Sequence, residues 1–139
     1  MTETTRHTCT DCNQYAPRAA HVSIMGFQSQ HPGWEAVSEH GMEKLRKQYA
    51  FDVFDAAIAF AEQIIFLARA EGHHPTIRLE RNTMCVIVTW WTKALNGIHN
   101  SDLILAAQTD RLFDAEQVKR SPHLSTGHIN TPPEYAGNR

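Results

Sequence analysis

Residues 53–71 constrain the fold most. Val53, Ala57, Phe60, Ile64 and Leu67 form one apolar stripe at helical spacing, while Phe54, Ile58 and Ile65 form a second. A helix apolar on two sides is expected to lie between a sheet and another surface, such as a second subunit. Asp52 stands where a helix N-cap is expected. Gly72, free to take the left-handed turn of a C-cap, ends the segment. Two strand-like runs follow, over 76–81 and 85–91. In the first, Ile77 and Leu79 alternate with Arg78 and Glu80; the second is β-branched and aromatic from Val86 to Trp91, with Asn82-Thr83 opening the turn between them. Upstream, Pro32-Gly33 signals a turn, residues 34–37 a short strand, Glu39-His40-Gly41 a second turn, and Leu45, Tyr49 and Phe51 a half-buried strand. Downstream, Gly97 breaks the chain. Asn100 or Ser101 is then expected to cap a helix carrying Leu103, Ile104, Ala106, Ala107 and Leu112, with Asp102 in its first turn. This order of elements predicts an α+β fold, an antiparallel sheet backed by helices.

The chain's 139 residues are enough for one domain with a substantial core. Composition divides them into an extension over 1–30, an ordered domain over 31–118, and a tail over 119–139 rich in Pro, Gly, Ser, Thr and Asn. The tail has too little apolar surface to offset its ordering entropy and is expected to be flexible. No apolar run has the length of a membrane span. A net charge of −2 with dispersed Lys and Arg gives nucleic-acid binding no electrostatic basis. The polar residues 1–10 do not read as a secretory signal, and three cysteines are an odd number, so a reducing cytoplasm is the expected location.

The tripeptide His73-His74-Pro75 lies between the long helix and the strand pair. Imidazole suits proton transfer near neutral pH, because its ordinary pKa is close to 6.5. Pro75 biases His74 toward extended dihedrals, so the loop is constrained. Side chains of neighbouring extended residues diverge, which disfavours a shared metal. Trp90 and Trp91 must face opposite sides of their strand. One is expected in the core, leaving the other for a bicyclic ligand or a subunit contact. Cys9 and Cys12 have the spacing of half a zinc site, with His7, His21 and His31 as further ligand candidates. A single CxxC does not make a closed site. Cys85 is expected to be a buried small residue.

The chain resembles the pterin-4a-carbinolamine dehydratases, also called 4a-hydroxytetrahydrobiopterin dehydratases. The likeness rests on Gly33-Trp34, Tyr49-Ala50-Phe51, the helix over 54–71, Gly72-His73-His74-Pro75, Thr89-Trp90-Trp91-Thr92, Gly97-Ile98 and the run DLILAAQTD over 102–110. Cys9-Thr10-Asp11-Cys12 with Ala16-Pro17 is similar to the lead of a proteobacterial branch. The resemblance implies a four-stranded antiparallel sheet with helices on one face, assembled as a homodimer or homotetramer. It implies removal of water from a 4a-hydroxytetrahydropterin to give a quinonoid dihydropterin, with His73 and His74 as acid and base and no cofactor. Pro75, Trp91 and Asp102 are the implied binding residues. Three positions depart from the family pattern: Lys93 replaces a third histidine, Arg69 a carboxylate four residues before the pair, and Arg81 an aromatic residue in the hairpin. These three are expected either to be solvated or to form a basic rim for an anionic ligand or an acidic protein surface, and activity is expected to be weakened. The same departures, with the tail, resemble the dehydratase-like RuBisCO assembly factors of α-carboxysomes, which implies a scaffold with RuBisCO as partner as the alternative.

Overall fold

In the computed structural model, residues 18–120 are described. The elements run α1 (His21–Gln30), β1 (Glu35–Glu39), β2 (Met42–Ala50), α2 (Phe54–Glu71), β3 (Thr76–Glu80), β4 (Cys85–Trp90) and α3 (Asn100–Lys119), with a 3-10 turn at Lys93–Leu95. All strand pairings are antiparallel, in the spatial order β1-β2-β4-β3. The expected α+β class and four-stranded sheet are present, together with three α-helices. No helix among the described residues is long and apolar enough to cross a membrane.

The strand alternation sorts the sheet into two faces. Leu45 and Tyr49 of β2 join Val86, Val88 and Trp90 of β4 on the inner face, where they pack against Ala57, Phe60 and Ile64 of α2 and Leu105 and Ala106 of α3. Phe60 is the hub of the aromatic packing, with Tyr49, Phe51 and Phe113 all within 6 Å of its ring centre. The outer face carries Lys44, Arg46, Gln48, Arg78, Ile87 and Thr89, and no described helix lies over it. Arg46 bonds Thr89 there and pairs with Glu39 at 2.6 Å. The hydrogen bond from Arg46, followed by that from Lys44, holds the Glu39 carboxyl below its ordinary pKa.

Two turns follow directly from their residues. His40 and Gly41 both have positive φ, as a two-residue hairpin with the right-handed strand twist requires. Gly33 has φ +100, and a Cβ there would sit 2.8 Å from the Lys47 side chain. That close approach lets Lys47 Nζ reach the Pro32 carbonyl and the Asp110 carboxylate.

Three local expectations are corrected. Asp52 does not cap α2: the helix starts at Phe54 with extended Val53 in the cap position, so Asp52 lies one residue too early to reach the free amides. Helix α3 is capped by His99 instead of Asn100 or Ser101. Residues 1–30 also include α1, whose Ile24 is buried in the domain core.

Candidate functional site

Helix α2 ends as its sequence dictates. Gly72 is left-handed at φ 68, and the His73 amide then bonds the Ala68 carbonyl. The chain leaves toward β3, where Thr76 pairs with Thr89. This register sets the histidine pair beside the end of β4. His73 turns inward and stacks on Trp90, with ring centres 5.6 Å apart and planes 14° from parallel. Its Nε2 lies 2.6 Å from Asp102 Oδ1.

Asp102 is fully buried, and its second oxygen accepts from the Thr92 hydroxyl and the His99 amide, each at 2.8 Å. The His99 ring returns the favour to α3 by accepting from the Ser101 amide at Nδ1. Asp102 thus sits in the first turn of α3 with two donors on one oxygen and the His73 ring on the other. The 2.6 Å contact with Asp102 fixes the orientation of the His73 ring. The arrangement is an oriented imidazole backed by a carboxylate, the geometry proton transfer requires. His74, the next residue, is exposed.

The remaining predicted positions divide. Pro75 is half-buried beside the pair, and Trp91-Thr92-Lys93 follows from the same end of β4, with Lys93 exposed. Trp90 is the core tryptophan, as alternation requires of one of the two. Trp91 is half-buried on the other side, where the Lys44 ammonium lies 4.2 Å from its ring centre, occupying one indole face. Arg69 is exposed in the last turn of α2, lining a groove with Glu62, Ile65 and Phe66. Arg81 is not brought to the pair. It follows β3 at the far tip of the hairpin, about 17 Å along the strand from Thr76. The three cations therefore do not form one rim. Cys9, Cys12 and His7 lie outside the described residues; His21 is exposed, and His31 packs on Phe27. Among the described residues, no group of three metal-binding side chains converges. Cys85 is buried, as expected.

Sequence reasoning passed over His99 and the full role of Thr92. The spacing His99-x-x-Asp102 has the form of a reciprocal helix cap, but histidine is not among the residue types that usually signal one.

The chain is similar to known proteins of one family. The sequence profile of the family described as pterin 4 alpha carbinolamine dehydratase matches residues 19–112. A curated relative from Syntrophotalea carbinolica, named as a candidate pterin-4-alpha-carbinolamine dehydratase, is 39% identical over 82% of this chain and 100% of its own. A like-named protein of Gloeobacter violaceus is 38% identical over 78% of this chain and 91% of its own. Among solved structures, a transcriptional coactivator/pterin dehydratase from Brucella melitensis superposes with a TM-score of 0.61 at 24% identity, over 69% of this chain and 98% of that one, a likeness of fold.

Proposed function

This chain belongs to the pterin-4a-carbinolamine dehydratase family, and from that premise we propose that it dehydrates a 4a-hydroxytetrahydropterin, 4a-hydroxytetrahydrobiopterin being the reference substrate. The reaction breaks the C4a–O bond and forms a C4a–N5 double bond. One proton is delivered to the departing hydroxyl, which leaves as water, and one is withdrawn from N5. His73 and His74 are the acid–base pair. The observation that carries this reading is the 2.6 Å contact between His73 and a fully buried Asp102, immediately before an exposed second imidazole. Burying a carboxylate is costly unless it is well bonded, and here one of its three bonds holds the ring that precedes His74.

Asp102, Thr92 and His99 are positioning residues. Lys93 and Pro75 border the pair and contact the substrate. Lys93 stands where the family pattern has a third histidine, and losing an acid–base imidazole there leaves the enzyme slower than it would be with histidine. The working form is a homo-oligomer.

In stopped-flow assays, His74→Ala is expected to lower the dehydration rate by about 10²–10⁴ while leaving the melting temperature nearly unchanged. Equal rates for variant and wild type would remove His74 from the chemistry. Lys93→His is expected to raise the rate, and no gain would show that position 93 does not limit it.

A further inference from the structure

The turn after β4 closes on itself and is then tied to a distant part of the chain. The Thr92 amide donates to the Gly97 carbonyl at 2.8 Å, and the Leu95 and Gly97 amides donate back to the Thr92 carbonyl. Asn96, left-handed at φ 53, reverses the chain between them. Two further carbonyls of the turn are taken by the segment that leads into α1. Arg18 Nε donates to the Leu95 carbonyl at 3.1 Å, and the Ala19 amide donates to the Ile98 carbonyl at 2.8 Å. The Arg18 side chain also lies along Gly97, where a Cβ would sit 3.4 Å from its Cδ and Nε.

We propose that Arg18 is a positioning residue of the histidine site, a latch that fixes the turn carrying Lys93. From this turn the contacts run without a break to the chemistry. Gly97 pairs with Thr92, the Thr92 hydroxyl donates to Asp102, and Asp102 holds His73 Nε2 at 2.6 Å. Lys93, which borders the pair, is the next residue after Thr92 and opens the 3-10 turn. Releasing the Leu95–Ile98 arm would therefore move Lys93 and loosen the hydroxyl that helps to hold Asp102. Misplacement by about 1 Å from a change far from the chemistry can cost a hundredfold in rate.

A latch must itself be fixed, and this one is. Arg18 runs directly into α1, whose Ile24 is buried in the domain core. A guanidinium also suits the task, because a charged donor bonds a carbonyl more strongly than a neutral one. Arg18 stands immediately before the segment 19–112 that matches the family profile, so the latch is read from this chain and not from the profile. Its catalytic consequence rests on the dehydratase reading; the contact with the turn does not.

The test compares Arg18→Met, which keeps the length but removes the donor, with Arg18→Lys, which keeps a charged donor. Amide hydrogen exchange of the full chain reads the latch without substrate. In Arg18→Met the Leu95, Asn96 and Gly97 amides are expected to exchange about tenfold faster, as loss of one charge-assisted bond allows, while the buried turns of α2 stay unchanged. In stopped-flow dehydration, Arg18→Met should lower kcat about tenfold or more, and Arg18→Lys should retain most of the wild-type rate. Unchanged exchange in Arg18→Met would overturn the latch. Faster exchange with an unchanged kcat would overturn its role in the reaction, and Arg18→Lys as slow as Arg18→Met would overturn the charged donor. A wild type that does not accelerate dehydration would remove the dehydratase reading, and exchange alone would then decide whether Arg18 holds the turn.

Discussion

Asp102 serves two structures at once. It accepts the His99 amide at the head of α3 and holds His73 with its other oxygen. Asp102→Asn keeps the shape but removes the anion, and an amide offers a donor where two of the present partners also donate. We expect a stability loss of about 1–3 kcal/mol in denaturant titration and a fall in kcat of at least about tenfold with little change in KM, because the residue positions an imidazole and does not touch substrate. An unchanged kcat would show that His73 does not need its carboxylate. Farther along α3, Asp110 accepts from Trp34, Lys47 and Tyr49 on one oxygen. Burial of Tyr49, and then its hydrogen bond to Asp110, raise the phenol's pKa far above its ordinary value near 10. In the unfolded chain Tyr49 ionises near pH 10, whereas in the fold it stays protonated. Its contribution to stability is therefore complete below about pH 10 and declines as pH rises further, by up to about 1.4 kcal/mol per pH unit. Tyr49→Phe should lose stability at neutral pH yet show a shallower decline between roughly pH 10 and 11. Equal alkaline slopes in the two proteins would refute this.

At the scale of elements, α2 and its exit turn present the histidine pair. Gly72 at φ 68 is the hinge of that presentation. Gly72→Ala should cost about 1–2 kcal/mol, the strain of a left-handed alanine, and should lower activity by displacing the residues that follow. The helix, its glycine stop and the two hairpins were legible because apolar periods of 3.6 and 2 are local signals. Helix α1 was not. Its run His21–Gln30 carries Gly26, has no side-chain cap and buries only Ile24 fully, so packing on the domain, not local preference, makes it helical. The caps were misplaced for a related reason. Asp52 and Asn100 are good cap residues by type, but where the helix starts is decided by which residue is extended, and Val53 and His99 are.

Across the whole molecule, the fold brings together residues far apart in sequence. His73 reaches Asp102 of α3 across 29 positions, and Trp34 reaches Asp110 of the same helix across 76. The dipeptide and the Trp-Trp strand could be recognised in the sequence as pieces of a site. Which carboxylate backs which histidine could not, because that depends on the register of β3 on β4 and the start of α3. Register also decides the fate of Arg81, which hairpin pairing carries away from the pair. The single measurement that tests the account most directly is dehydration of chemically generated 4a-hydroxytetrahydropterin, followed by stopped-flow absorbance with and without the purified full chain. The account predicts acceleration by the wild type that is lost in both His73→Ala and His74→Ala. A rate no faster than the uncatalysed one would contradict it.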